Sequence, residues 1–210
     1  IVPVKNSEGE TSDYFCIVEA SGLIAEAQQG SLEFHVWGSR ADTLESPDML
    51  VFDLDPDEGL PLDRVRQGVR DLKKLLTERG LQCFLKTSGG KGYHVVVPLE
   101  PKADWTTFRA FARETAYLME SRWPDRYTAN SRKNKRGGKI FIDWGRNTRG
   151  ATGVAPYSLR ARPGARVSMP IAWRELDTVA PDGIDIFEAQ KRLRRADPWK
   201  GFFTVKQRLQ

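Results

Sequence analysis

The sequence is poor in sulfur and in histidine: 210 residues hold two cysteines, three methionines and two histidines. So few cysteines exclude a disulfide-stapled scaffold, and neither has metal-like neighbours. Cys16 and Cys83 both sit in apolar runs and read as reduced core residues, which fits a cytosolic protein. No run of 18 apolar residues exists, so no segment reads as a membrane span. Internal repeats, low-complexity tracts and a signal peptide are also lacking. The chain opens on Ile1 rather than Met, and the simplest expectation is a piece of a longer polypeptide. Hydrophobic residues make up 40%, with six Trp and ten Phe, which argues against disorder, and the length suits one compact domain over 1–210, or two small lobes sharing a sheet.

Net charge is only +5, but its distribution is uneven. Between Ser131 and Arg166 lie ten cations (Arg132, Lys133, Lys135, Arg136, Lys139, Arg146, Arg149, Arg160, Arg162 and Arg166) and a single acid, Asp143. A lone charge run usually means a solvated face. Here the cations surround one acid on an apolar run, which favours a polyanion site.

Hydrophobic periodicity predicts alternating strands and helices. Leu62, Val65, Val69, Leu72 and Leu76 recur at helical spacing, so 62–79 reads as a helix stopped by Gly80. Asp104 should cap a second helix to about Arg122, with Trp105, Phe108, Phe111, Leu118 and Met119 inward. Ser21 should cap a short helix ending near Gly30, and 187–195 reads as a terminal helix. Strands are expected at 14–18, 32–36, 49–54, 82–86, 93–98, 139–144 and 157–161. The fold class is α/β, a mixed β-sheet with flanking helices.

Chemistry concentrates in a few short stretches. In MLVFDLDPDEG, Asp53 and Asp55 are two apart, so on a strand both carboxylates share a face. Asp143 ends a second apolar strand in KIFIDWGRN. Three carboxylates on adjacent strand ends could hold two hard cations, as phosphoryl transfer requires. A solvated strand end or a helix cap would serve the same pair. In LKTSGGKGYHVVVPL, Ser88, Gly89, Gly90, Lys91 and Gly92 form a loop between strands whose N–H groups, hydroxyl and ammonium could meet an anion. It is not a Walker loop, because a strand follows, and an ordinary glycine turn would look similar. His94 could add a donor. His35 lies in LEFHVWGSR, where a core or surface histidine is the plainer alternative. Arg160 and Arg162 would share one face if their segment is extended, and could jointly face a triphosphate.

Taken in order, HVWGSR, FDLDPD, TSGGKGYH, IFIDWGRN and SLRARPGA resemble the polymerase domain of bacterial ligase D, of the archaeo-eukaryotic primase superfamily. The resemblance runs from about Asp13 to Phe203. It implies that Asp53, Asp55 and Asp143 are metal-binding catalytic acids holding two divalent ions, manganese before magnesium. It implies that Ser88, Gly89, Lys91 and His94 contact the phosphates of an incoming NTP or dNTP, that Arg146 and Arg160 neutralise them, and that His35 sits near the sugar and phosphates. It further implies gap filling and end addition on broken DNA during bacterial non-homologous end joining. The partners implied are the Ku end-binding protein, a fused ligase and often a nuclease module, in the cytoplasm. Family members carry an additional N-terminal segment that holds the DNA 5′-phosphate; this sequence starts after it.

Three rivals remain open here. A haloacid-dehalogenase-like phosphatase also places two aspartates two apart after a strand, but Asp57 stands where that family has Thr or Val. A non-catalytic nucleic-acid module would suit the cations and aromatics, yet leaves three strand-end acids unexplained. A replicative primase of the same superfamily would share the motifs.

Overall fold

The computed structural model describes residues 1–5 and 8–209. Along the chain come β1 (Val2–Lys5), β2 (Thr11–Tyr14), α1 (Ala20–Gln28), β3 (His35–Trp37) and β4 (Met49–Pro56), then α2 (Leu62–Glu78), β5 (Phe84–Thr87) and β6 (Tyr93–Pro98). After them follow α3 (Trp105–Arg122), β7 (Tyr127–Thr128), β8 (Ile140–Asp143), β9 (Thr152–Val154), β10 (Pro170–Ile171) and α4 (Ile186–Arg192).

Six strands form the central sheet in the order β10-β5-β6-β4-β8-β7. All its pairs are antiparallel except β7 with β8, so the sheet is mixed as the sequence predicts. Two small antiparallel pairs, β1 with β2 and β3 with β9, complete the strands.

The period-2 pattern of the strands splits the sheet into two unlike faces. Leu50, Phe52, Leu54, Leu85, Tyr93, Val95 and Val97 point to one face and form the main core with residues of α2 and α3. There Val69, Leu72, Leu76, Phe108 and Met119 are fully buried, each contributing about 1.5–3 kcal/mol by leaving water. The opposite face is covered only in part: Val51, Phe84 and Val96 pack under Trp199 and Phe202. The rest of that face carries polar side chains and forms the floor of a cleft.

α2 and α3 match their predicted spans within a residue, and Asp104 caps α3 by accepting from Thr107 N–H at 2.8 Å. Several expectations are corrected. The predicted 14–18 strand lies earlier, at β2, because its partner in register is Val2–Lys5. Ser21 is inside α1 rather than capping it; Glu19 holds the cap position and no side chain caps the helix. Cys16 is exposed, since the run around it does not enter a sheet, whereas Cys83 is buried. The strand predicted at 32–36 is shorter and later, at β3. Residues 157–161 make no strand: Tyr157 adopts a left-handed φ of 67°, and only Leu159 bridges, to Val167. β9, in the glycine-containing stretch before it, was not predicted.

Candidate active site

A row of side chains crosses the polar half of the sheet. Lys86 on β5 is in register with His94 on β6, His94 with Asp53 on β4, and Asp53 with Asp143 on β8. Paired residues present their side chains to the same face, so register alone aligns these four groups. Asp55, two residues along β4, shares that face.

An open cleft of about 260 Å³ lies above this floor. His35, Ser88, Lys91, His94, Arg146 and Arg160 line it together with Asp53 and Asp55. Arg162 also reaches it, so both arginines of the SLRARPGA stretch face the cleft without a strand to carry them. They are held by a hairpin instead: Arg160 N–H donates to Arg166 O at 2.7 Å, and Ser168 N–H to Ser158 O at 2.9 Å.

The glycine loop supplies shape more than free donors. Gly92 packs so tightly on β4 that a Cβ there would stand 2.0 Å from Leu54 O. Gly89 has a left-handed φ of 67°, and a Cβ there would strike Arg160 Cγ at 2.6 Å. Its N–H donates to Pro181 O at 2.9 Å, so Gly89 makes room for Arg160 rather than offering its amide to an anion. Ser88 Oγ accepts from Gly90 N–H at 3.1 Å, and Ser88 O accepts from Arg160 Nη1 at 2.5 Å. The loop is therefore fixed before any ligand arrives.

The acids are close, and arginine stands between them. Arg146 Nη2 is 3.6 Å from Asp53 Oδ2, and its Nε is 3.3 Å from Asp143 Oδ2. Asp143 Oδ1 accepts from Gly145 N–H at 2.9 Å. Asp55 Oδ2 accepts from Arg136 Nη1 at 2.5 Å, and Arg136 lies over the Phe141 ring. Among the described residues, no group of three or more Asp, Glu, His or Cys side chains is arranged as a metal cage. The chemistry of the donor set nonetheless suits a hard cation. Burial, with Asp143 and Asp55 nearby, pushes Asp53 up to about 6 despite Arg146. Its oxygens stand 3.6 Å from His94 Nε2 and from Arg146 Nη2, too far for hydrogen bonds. A carboxylate so placed would gain from a nearby hard cation, which Asp53, Asp55 and Asp143 would hold.

The cleft is prepared for an anion beside those acids. Burial, then the charges of Lys86, Arg146 and Arg160, hold His94 well below the usual imidazole range, so it is neutral at pH 7. Its Nδ1 is buried without a partner. Two residues of the site, Lys86 and Glu33, were missed from sequence; Glu33 is the one that gathers the cleft wall. It accepts from His35 Nε2 at 2.7 Å and from Ala161 N–H at 2.9 Å, and lies 3.1 Å from Arg160 Nε. The available signal was its position two before His35 on an extended segment, which lets the two side chains meet.

A mixed sheet whose neighbouring strands bring aspartates to the floor of a cationic, glycine-walled cleft defines a domain of the primase-polymerase class. The chain belongs to the family described as "LigD, primase-polymerase domain", whose profile matches residues 1–199. The multifunctional non-homologous end joining protein LigD of Pseudomonas aeruginosa is 41% identical over 199 residues, covering 92% of this chain and 24% of that protein. LigD of Mycobacterium tuberculosis strain H37Rv is 36% identical over 193 residues, covering 88% and 25%. The chain thus spans about a quarter of the length of these curated relatives. A solved structure, the polymerase domain from Mycobacterium tuberculosis ligase D in complex with DNA, superposes with a TM-score of 0.88 at 32% identity. That match covers 97% of this chain and 74% of the other. Nothing in these comparisons supports the phosphatase or replicative-primase readings. No helix among the described residues is long and apolar enough to cross a membrane.

Proposed function

We propose that this domain is a nucleotidyltransferase that adds nucleotides to primer 3′ ends, filling gaps and processing broken DNA ends in non-homologous end joining. The observation that carries the reading is the register of Asp53 with Asp143 beneath a cleft walled by Lys91, Arg146, Arg160 and Arg162. Acids at a polyanion site repel the ligand unless cations lie between them. Two divalent ions held by Asp53, Asp55 and Asp143, manganese before magnesium, would activate the attacking hydroxyl and offset charge on the leaving pyrophosphate.

The chain's own residues do the rest. Lys91, Arg160 and Arg162 bind the triphosphate from the loop side, and Arg146 from the strand side. His94, neutral and short of a partner, donates to a phosphate oxygen from the floor. His35, steered by Glu33, borders the sugar end. Arg136, which donates to Asp55 Oδ2, would share that carboxylate with a bound ion, tying the basic 131–139 stretch to a metal-holding acid. The partners this reading implies are gapped or broken DNA, Ku, and ligase and nuclease modules of a longer chain, with action in the cytoplasm; a solved relative, the polymerase domain of Mycobacterium tuberculosis ligase D, is in complex with DNA.

The test is extension of a 5′-labelled primer on a gapped duplex with manganese, offering NTPs and dNTPs separately. Primer lengthening that needs the divalent ion is expected. Absence of extension with every metal, alongside intact DNA binding, would return the chain to a binding module.

A further inference from the structure

One buried charge is left over once the cleft's cations have roles. Lys86 is 2% exposed and lies on the cleft-floor face, in register with His94. Its Nζ donates to Ser168 Oγ at 2.6 Å. The acid whose charge acts on it is Asp53, two strands away. Burial without an adjacent carboxylate pushes Lys86 down to about 7. Such a group costs the fold free energy, and a methionine of similar length would fill the space without that cost.

Its one hydrogen-bond partner among the described residues sits at a mechanical junction. Ser168 Oγ donates onward to Thr87 O at 3.0 Å. Tyr157 N–H donates to Ser168 O at 2.7 Å, and Ser168 N–H to Ser158 O at 2.9 Å. These bonds close the base of the hairpin whose upper part carries Arg160 and Arg162 to the cleft. Lys86 thus ties the sheet floor to the element that presents both arginines. At this base the other side-chain ties come from Thr87 Oγ1, which donates to Val167 O at 3.1 Å and accepts from Met169 N–H at 2.9 Å, while Arg160 Nη1 to Ser88 O and Ala161 N–H to Glu33 fasten the upper part.

We propose that Lys86 is a positioning residue for nucleotide phosphates, pinning the base of the arginine hairpin through Ser168. The inference rests on the nucleotidyltransferase reading above. When a triphosphate enters, the buried ammonium gains a nearby counter-charge, so occupancy of the cleft tightens the pin.

The experiment compares wild type, Lys86→Met and Ser168→Ala by thermal melting, ATP titration calorimetry with manganese, and primer-extension kinetics. Lys86→Met should melt at the wild-type temperature or above, while KM for nucleotide rises roughly tenfold, the loss of one charge-assisted contact network. kcat at saturating nucleotide and affinity for the primed duplex should change little. A purely structural lysine would give a lower melting temperature with unchanged KM, and that result overturns the proposal. Should Lys86→Met fail to fold, Ser168→Ala decides: a raised KM supports the pin and an unchanged KM overturns it. A wild type that extends primers while Lys86→Met matches its KM refutes this inference alone. A wild type that neither binds ATP nor extends refutes the parent reading, and this inference with it.

Discussion

Asp53 and Asp143 stand directly opposite one another on β4 and β8, and the Arg146 guanidinium lies against both carboxylates. Two like charges in register repel, so the strand pair retains them only because cations neutralise them. Asp53→Asn keeps the shape and removes one charge from a partly buried position. Extension should fall by roughly a hundredfold or more, the scale of losing one electrostatic contact at a reacting centre. The melting temperature should hold or rise, because burial already opposes ionisation of Asp53. Joint measurement of rate and melting temperature checks this; full activity removes Asp53 from the catalytic set.

Glu33 gathers His35, the Ala161 amide and Arg160, and Glu33→Ala should loosen two cleft residues together. KM for nucleotide should rise roughly tenfold, with kcat less affected. Burial raises the Glu33 carboxyl, but the Ala161 N–H, His35 and Arg160 together hold it down to about 2 from an ordinary 4.5. A depressed folded-state value means its stabilisation is complete above pH 4.5 and is lost as pH falls towards about 2. The melting difference between wild type and Glu33→Gln should therefore be constant near neutrality and shrink below pH 4.5. A pH-independent difference would show that Glu33 acts through packing alone.

Elements whose pattern is local were legible in the sequence. α2 and α3 repeat apolar residues at helical spacing, and β4 and β6 are apolar runs ending at chemistry-bearing residues. Period-2 geometry placed Asp53 and Asp55 on one face correctly. Elements fixed by distant partners were not legible. β10 is two residues long and exists because Pro170 and Ile171 meet Lys86 and Leu85. Tyr157 turns left-handed because its amide is drawn to Ser168 O, eleven residues on. In the site, the arginines of 160–162 were found from their charge, but Glu33 and the Arg136 grip on Asp55 depend on pairs 128 and 81 residues apart.

Gly92 has no room for a side chain. An alanine Cβ would sit 2.0 Å from the Leu54 carbonyl, a backbone atom in the middle of the sheet that cannot step aside. Gly92→Ala should either separate β4 from the loop or prevent folding, costing about 4 kcal/mol or more. Denaturant unfolding measures the loss directly. Gly59→Ala is the control: that position has a positive φ but open space around it, so its cost should stay within about 1–2 kcal/mol. Equal costs for the two would deny the close approach at Gly92 its role.

Asn147 continues the sheet after β8 has ended. β8 pairs with β4 as far as Asp143 and Asp53, and two residues further back the Asn147 side chain takes over. Its Oδ1 accepts from Val51 N–H and its Nδ2 donates to Val51 O, both at 2.8 Å. A side-chain amide thus imitates a neighbouring strand, and at 1% exposure no water can replace it. The same residue closes the short 3-10 turn Gly145–Asn147, which aims Arg146 at Asp53 and Asp143. Asn147→Ala leaves a buried donor and acceptor on Val51 unpaired, at about 2–4 kcal/mol together. It should also raise KM for nucleotide, because the turn carrying Arg146 loses its anchor. Asn147→Asp keeps an acceptor for Val51 N–H but sets a carboxylate against Val51 O, so above pH 7 it should destabilise at least as much as alanine. Denaturant unfolding and nucleotide KM on both variants check the pair of effects. Loss of stability with an unchanged KM would separate the strand mimicry from the placement of Arg146.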